Sequence, residues 1–135
     1  MRYLLDTCVL IDDDKPRLAA DDEWAISVVS LSELHFGVLC ARDELQRSAR
    51  LRRLTVIEST LHALPVTDDI ARIHGAMSAH LRSIGRQPRP RAMDLLIAAT
   101  AASHRATLLT HKLKDFAGLD DFVTVTAPPS EGRPR

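Results

Sequence analysis

Four acidic residues in this 135-residue chain stand beside apolar segments in a pattern that suits metal-ion chemistry. They are Asp6, Glu33, Asp94 and Asp115. Carboxylates repel one another, so they crowd together only when a cation compensates their charge. Mg²⁺ and Mn²⁺ prefer oxygen ligands and are often held by a few carboxylates together with water and substrate phosphate. If the fold brings these acids together, the sequence predicts a Mg²⁺ or Mn²⁺ site.

Such a site is suited to hydrolysis of a phosphodiester bond. A carboxylate-bound metal ion lowers the pKa of its water, orients that water toward phosphorus and neutralises charge on the leaving oxygen. This chemistry needs no nucleophilic side chain, and the sequence offers no convincing Ser–His–Asp or Cys–His arrangement. A metal-dependent hydrolase is therefore the expected class of enzyme.

Strands alternating with helices are the elements that must position these acids. Short apolar runs predict strands, and apolar residues at three- and four-residue spacing predict helices. The predicted strands are 3–6, 24–29, 62–66, 106–110 and 122–126. The predicted helices are 30–42, 43–60, one from Thr67 to Gly85 and one from Asp94 to His104. This order is typical of a single α/β domain with a mostly parallel sheet.

The expected topology brings the acids to one edge of the sheet. In open parallel sheets, ligands bind outside the carboxyl ends of the strands. Asp6 ends the first strand, and Glu33 lies in the first turn of the helix after the second. Asp94 opens a helix that is apolar on nearly all sides, and Asp115 follows the fourth strand by a few residues. If the first and fourth strands are neighbours, all four acids converge in one pocket.

Each acid also has a purely structural explanation. Glu33 with Ser30 fits a capping box, and Asp94 fits an ordinary N-cap. Asp6 can stabilise a turn through its own backbone, and Asp115 can start a short helix. For any one acid the structural role stays open, and only the four together point to a cation.

Composition limits the class of protein further. With 45% hydrophobic residues the chain can form one domain, expected over residues 1–126, followed by a disordered tail over 127–135. Two cysteines make no disulfide framework and favour a reduced compartment. No apolar run reaches the ~18 residues that cross a bilayer, so we expect a cytoplasmic protein with no membrane partner. Eighteen basic and 18 acidic residues give no net charge, which argues against a surface coated in basic charge for nucleic acid.

Four segments of the chain resemble the motifs of PIN-domain proteins. The segment YLLDTCVLID, with Asp6, resembles the first motif, an acid directly after an apolar strand. VVSLSELHFGV, with Glu33, resembles the second motif, and RAMDLLIAATA, with Asp94, resembles the third and is the most specific match. ATLLTHKLKDFAGL, which contains Thr110 and Asp115, resembles the fourth motif. The resemblance runs through residues 1–126, and the size and motifs look most like the VapC toxins of bacterial VapBC pairs.

The resemblance implies a five-stranded parallel sheet between helices and a Mg²⁺- or Mn²⁺-dependent endoribonuclease acting on structured RNA such as tRNA or ribosomal RNA. It also implies a homodimer and a cognate VapB antitoxin that wraps the toxin and blocks its site. The implied catalytic and metal-binding residues are Asp6, Glu33, Asp94 and Asp115, supported by Thr7 and Thr110.

The chain departs from the family pattern at two positions. Members usually have asparagine or serine two residues after the first acid, where this chain has Cys8. Many have asparagine where this chain has Lys112, whose ammonium group can neutralise an acid, contact a phosphate or point into solvent. The lysine weakens the expectation for Asp115 as a metal ligand more than for the other acids.

Two further surfaces carry expectations about partners. The Pro/Arg loop RQPRPR suits an RNA backbone, with Arg86, Arg89 and Arg91 as candidate contacts together with Lys112, although a solvated loop stiffened by prolines is an equal alternative. The helix after the second strand offers more apolar residues than one face needs. Leu34, Phe36 and Leu39 are therefore candidate antitoxin contacts, with core packing as the default explanation.

Other functions are compatible with acids in an α/β domain. A receiver domain needs a phosphoacceptor aspartate ending a central strand, but the strand HALPV is followed by Asp68 and Asp69 inside a helix start. A haloacid-dehalogenase-like phosphatase needs a second aspartate where Cys8 stands, so both fit poorly. A catalytically inactive module that binds RNA or antitoxin is the main alternative. A toxin acting on DNA is a third possibility, although direct DNA binding by this chain is not expected.

Overall fold

A computed structural model describes residues 1–12 and 19–129 of the chain. The strands are β1 (Arg2–Leu5), β2 (Glu23–Ser27), β3 (His62–Leu64), β4 (Thr107–Leu109) and β5 (Val125–Thr126). The helices are α1 (Thr7–Leu10), α2 (Val28–Leu39), α3 (Glu44–Thr60), α4 (Asp68–Ser83) and α5 (Ala92–Ser103). Two short 3₁₀ turns span Arg89–Arg91 and Leu113–Phe116.

The five strands form one parallel sheet in the order β3-β2-β1-β4-β5. β1 is central, and it pairs with β4 through Leu4 opposite Leu108 and Leu5 opposite Leu109. The first and fourth strands are therefore neighbours, which is the arrangement that lets the acids meet. The predicted α/β class with a five-stranded sheet flanked by helices is confirmed.

Helices cover both faces of the sheet, because successive strand side chains point to opposite sides. Leu4 and Leu108 belong to a core cluster that includes residues of α4 and α5. Leu5 and Leu109 belong to a second cluster that includes residues of α2 and α3. All four leucines are at most 2% exposed, so β1 and β4 are held between two apolar layers.

Helix α5 is buried as its sequence predicts. Its apolar and small residues occupy nearly every side, and five of its alanine, leucine and isoleucine side chains have no exposed surface: Leu95, Ile97, Ala98, Ala99 and Ala101. Small side chains let α4 pack closely against α5. This rigid contact fixes the start of α5, where one candidate acid lies.

Several boundaries differ from the prediction. The helix after β2 begins at Val28 rather than Ser30, because the Ser27 side chain caps it by accepting the Val29 N–H at 3.0 Å. Helix α1 was not predicted, since four residues are too few to show a period. Gly85 does end α4 as expected, with a φ of +81° that suits glycine after a helix.

The expected disordered tail stays a prediction. Of the predicted tail over 127–135, the described residues 127–129 form neither helix nor strand, and the remainder lies outside the described residues. Among the residues that the structure describes, no helix has the length and apolar character needed to span a membrane.

Candidate active site at the carboxyl edge of the sheet

Asp6 lies where the central strand ends, and it is held by several donors. Its backbone N–H donates to the Leu109 carbonyl at 2.9 Å, which extends the pairing of β1 with β4. Its side chain caps α1, with Oδ1 accepting the Thr7 N–H at 2.8 Å. With only 4% of its surface exposed, Asp6 is a carboxylate fixed at the floor of the site.

The second oxygen of Asp6 is held by side chains from β4 and α1. The buried Thr110 hydroxyl donates to Oδ2 at 2.7 Å, and the Cys8 thiol donates to the same oxygen at 3.5 Å. Burial raises the pKa of the Cys8 thiol, and the Asp6 charge adds to the rise, so the thiol stays protonated and able to donate. Cys8 therefore acts as a hydrogen-bond donor to Asp6.

Glu33 lies on α2 and faces the same edge, but not as a capping residue. Because α2 begins at Val28, Glu33 is one turn further into the helix than predicted, and its capping box with Ser30 is absent. Ser30 instead is fully buried, with its hydroxyl 3.0 Å from that of Thr7. The structural alternative for Glu33 is therefore wrong.

Asp94 lies in the first turn of α5 and is not its N-cap, contrary to the alternative drawn from the sequence. The helix is preceded directly by the 3₁₀ turn Arg89–Arg91, and Arg91 takes the N-cap position without a side-chain cap. Within the described part of the chain, no hydrogen bond is made by the Asp94 carboxylate. A half-buried acid that caps nothing is unexplained by local structure.

Asp115 lies in the 3₁₀ turn Leu113–Phe116 after β4, and it forms an ion pair. Arg91 Nη1 donates to Asp115 Oδ1 at 2.9 Å, with 37% and 35% of the two side chains exposed. This pair was not predicted, since the two residues are 24 positions apart. Arg91, predicted to contact RNA, therefore already neutralises one of the four candidate acids.

The electrostatics show that the acids face one another. Burial raises the pKa of Glu33; a hydrogen bond from the Thr7 side chain lowers it in part, and the charges of Asp6 and Asp94 raise it. Burial likewise raises the pKa of Asp94, with additional repulsion from Asp6 and Asp115. Lys112 works against the rise in both pKa values, so its ammonium group faces the same cluster.

The donor set suits a hard divalent cation without being a complete cage. Among residues 1–12 and 19–129, no three His, Cys, Asp or Glu side chains are arranged to hold one ion. Mg²⁺ needs no such cage, because it commonly takes one or two carboxylates and completes its shell with water and phosphate oxygens. Asp6, Glu33 and Asp94 supply oxygen ligands, and their mutual repulsion is what a cation would relieve.

This repulsion makes a prediction about the metal-free protein. A carboxyl group whose pKa is higher in the folded than in the unfolded state costs stability when ionised, and the cost disappears as the pH falls toward the unfolded value, 4.5 for Glu33. Glu33→Gln is therefore expected to raise the free energy of unfolding at pH 7 in EDTA. The gain should stay below about 1 kcal/mol, because the group is partly exposed and screened.

Denaturant titrations at pH 7 and pH 4.5 test this prediction. The gain from Glu33→Gln should be present at pH 7 and largely lost at pH 4.5. Glu44→Gln is the control, since the Glu44 side chain is 83% exposed and pairs with Arg47 on α3. Equal destabilisation by Glu33→Gln at both pH values would show that Glu33 is not repelled by its neighbours.

A groove of about 740 Å³ opens next to the acids, between α2 and α3. Thr7 and Glu33 lie at its acidic end, and Phe36 lines it with 68% of its surface exposed. Leu34, a predicted antitoxin contact, is only 8% exposed and packs in the core, so core packing explains most of its surface. Leu39 is 75% exposed but does not line the groove.

The predicted RNA contacts fall into three settings. Arg86 and Arg91 line a cleft on the Asp115 side of the site, whereas Arg89 is exposed and does not line it. Lys112 is exposed, and its backbone N–H donates to the Thr110 hydroxyl at 3.0 Å. The structure thus separates four residues that the sequence grouped by charge alone.

Comparisons with known proteins agree with this geometry. The PIN domain family matches residues 3–121 of the chain. Ribonuclease VapC5 of Mycobacterium tuberculosis is 39% identical over 128 residues, covering 90% of each chain, and Ribonuclease VapC4 of the same organism is 31% identical over 131 residues, covering 93% of this chain and 96% of the relative. A crystal structure of VapBC-5 from M. tuberculosis, a member of the VapBC family of toxin–antitoxin systems, contains a chain with a TM-score of 0.79 and 38% identity. The match covers 95% of this chain and 98% of that one.

Proposed function

The chain belongs to the PIN-domain family, and from that membership we propose that it is the toxin of a type II toxin–antitoxin pair, an endoribonuclease that hydrolyses phosphodiester bonds in structured RNA such as tRNA or ribosomal RNA. One observation carries the proposal. Asp6, Glu33 and Asp94 come from three separate elements, and they repel one another at the carboxyl edge of the sheet. Such a cluster lowers the stability of the fold, and folds retain destabilising clusters where they serve a function.

The cofactor belongs to the proposal as well. Asp6, Glu33 and Asp94 would hold Mg²⁺ or Mn²⁺, with Asp115 as a fourth acid that Arg91 already neutralises in part. When bound, the ion would supply a water of lowered pKa and neutralise charge on the phosphate. The donor set supports this assignment, since all four side chains offer only carboxylate oxygens.

The chain's own residues prepare the site for this chemistry. Thr110 and Thr7 fix the two oxygens of Asp6 at 2.7 and 2.8 Å, so the ligand is oriented before anything binds. Burial and mutual repulsion raise the pKa values of Glu33 and Asp94, so a bound cation would stabilise their ionised forms. The positive charges of Lys112 and Arg91 lie near Asp94, where they offset part of its repulsion by the other acids and would attract a polyanion.

Lys112 also supports the alternative of an inactive RNA- or antitoxin-binding module. Its ammonium group offsets part of the acidic charge, which lowers the need for a divalent ion. The two functions differ in a measurable way. The enzyme needs a metal ion whose binding depends on Asp6 and Asp94, whereas the inactive module needs no metal ion.

Cleavage of total tRNA and ribosomal RNA by the purified chain tests the proposal. Discrete fragments should appear with Mg²⁺ or Mn²⁺ and disappear with EDTA. Thermal unfolding should show stabilisation by Mn²⁺ in the native chain and none in Asp6→Asn. Absence of cleavage and of metal stabilisation would leave the inactive module, and cleavage that persists in EDTA would contradict a metal-dependent enzyme.

The proposed partner is a VapB-type antitoxin that binds the groove between α2 and α3. The groove ends at Glu33 and Thr7, so a segment seated in it would reach the acids and block them. Phe36 is its most exposed aromatic wall, and apolar side chains in a groove are what an amphipathic helix or strand recognises. We also propose that the chain forms a homodimer and works in the cytoplasm.

Phe36→Ser is expected to weaken antitoxin binding by roughly thirtyfold or more, because loss of a buried aromatic anchor costs at least about 2 kcal/mol. Isothermal titration with the cognate antitoxin measures the change. Leu39→Ser is the companion variant, since Leu39 is equally exposed but stands outside the groove and should lose less. Equal losses in both variants would place the antitoxin on the open face of α2 instead.

A further inference from the structure

A second cleft, of about 310 Å³, lies beside the acid cluster and has no role so far. It runs between the end of α4, the Pro/Arg loop and the 3₁₀ turn after β4. Its lining consists of Leu81, Arg86, Gln87, Pro90, Arg91 and Asp115. The cleft therefore shares one carboxylate with the candidate active site and adds two guanidinium groups.

Both arginines are held in place before anything binds. Arg91 donates through Nη1 to Asp115 at 2.9 Å, and Arg86 donates through Nη1 to the Ala117 carbonyl at 2.5 Å. A guanidinium group has five N–H donors in a planar fork, so each arginine keeps donors for a further oxygen-rich ligand. Ordering them in advance lowers the entropy that binding would otherwise cost.

The chemistry of the cleft fits a phosphodiester. Arginine forks match phosphate oxygens in pairs, and the Gln87 amide can serve a ribose hydroxyl or a base edge. The nearest acid, Asp115, is already neutralised by Arg91, so it repels an entering phosphate less than a free carboxylate would. Between Arg82 and Arg91 the chain carries four arginines and no acid, which adds attraction for a polyanion.

The cleft adjoins the acid cluster through Asp115, so a ligand bound there can belong to the same strand that is cut. The charge of Asp115 raises the pKa of Asp94, and the same residue lines the cleft. A polymer with regularly spaced phosphates can therefore place one phosphate at the acids and a neighbouring one at the arginines. A ligand with a single phosphate cannot use both.

We propose that this cleft is the binding site for the RNA phosphate adjacent to the scissile one, with Arg86 and Arg91 as its ligands. The proposal rests on the ribonuclease function proposed above. In this proposal Arg86 and Arg91 bind the RNA phosphate directly, whereas Arg89 adds only non-specific attraction for the RNA. The proposal also makes Arg91 a shared group, which pairs with Asp115 and with phosphate at once.

Binding of tRNA to the full-length chain carrying Asp94→Asn tests the cleft without cleavage. Dissociation constants are measured by fluorescence anisotropy over a series of KCl concentrations, for Arg86→Gln and Arg91→Gln in that background. Each is expected to bind roughly tenfold more weakly, as loss of a charged hydrogen bond predicts. The slope of log affinity against log salt should fall by about 0.7 for each lost phosphate contact.

Matched variants distinguish the cleft from the charge of the loop. Arg89→Gln, on the same loop outside the cleft, should lose less than threefold, and Arg82→Gln on α4 should lose no more. Arg91→Lys keeps the charge beside Asp115 but not the fork, so it should recover part of the affinity. Thermal unfolding checks that each variant is folded, and Arg86→Gln leaves the Arg91–Asp115 pair untouched.

The outcomes separate the two proposals. If the native chain cleaves RNA while all four glutamine variants bind equally well, or Arg89→Gln loses as much as Arg86→Gln, the cleft is not the phosphate site. If the native chain neither binds nor cleaves RNA, the ribonuclease function itself fails. Losses confined to Arg86→Gln and Arg91→Gln, with reduced salt slopes, establish the cleft.

Discussion

Asp94→Asn is expected to lower RNA cleavage by at least roughly a thousandfold while leaving the chain folded. Charge stabilisation by a bound metal ion is worth several kcal/mol in the transition state, and about 4 kcal/mol corresponds to that factor. An asparagine keeps the shape of the side chain but removes the negative charge that would attract the proposed ion. Initial rates of tRNA cleavage at saturating Mg²⁺ measure the effect.

The fold should tolerate this change, because Asp94 makes no hydrogen bond within the described residues and is repelled by Asp6 and Asp115. The free energy of unfolding in EDTA should stay the same or rise slightly. Asp120→Asn is the control for charge, since Asp120 is exposed on the loop after the 3₁₀ turn. Full activity in Asp94→Asn, or an equal loss in Asp120→Asn, would show that Asp94 is not a ligand.

Thr110→Val is expected to reduce cleavage by about ten- to a hundredfold and to destabilise the fold by about 1–3 kcal/mol. Thr110 has no exposed surface, and its hydroxyl both donates to Asp6 at 2.7 Å and accepts the Lys112 N–H at 3.0 Å. Valine fills the same space but leaves both partners without that hydroxyl. Chemical denaturation and cleavage rates of the purified variant measure the two effects.

Thr110→Ser is the matched variant for this prediction. Serine keeps the hydroxyl and loses one methyl group, so it should recover most of the cleavage rate and only part of the stability. This pattern distinguishes orientation of Asp6 from simple packing of the core. If serine were as inactive as valine, the hydrogen bond to Asp6 would not be what the site needs.

The fold could be predicted from the sequence because burial leaves a direct signature. β1 and β4 are buried on both faces and read as continuous apolar runs, and α5 is apolar on nearly every side. Asp6 and Asp94 interrupt or border those runs, so they stand out as charges with no place in a core. Their chemistry and the order of strands then suggested a shared edge.

Local details were harder to predict, because neighbouring residues compete for the same role. Ser27, Ser30 and Ser32 are all possible caps near the start of α2, and only the structure shows that Ser27 is used while Ser30 turns inward to Thr7. The Arg91–Asp115 pair depends on how the loop folds back across 24 residues. No periodicity in the sequence encodes such a contact.

The hydrogen bond from Thr110 to Asp6 joins residues 104 positions apart in the chain. During synthesis from the N-terminus, at about 5–20 residues per second, Asp6 therefore waits roughly 5–20 s for the hydroxyl that orients it. A nascent chain that ends before β4 has the strand carrying Asp6 but lacks both this donor and β4, one of the two strands that pair with β1. The order of translation thus delays assembly of the acid cluster until most of the chain has been made.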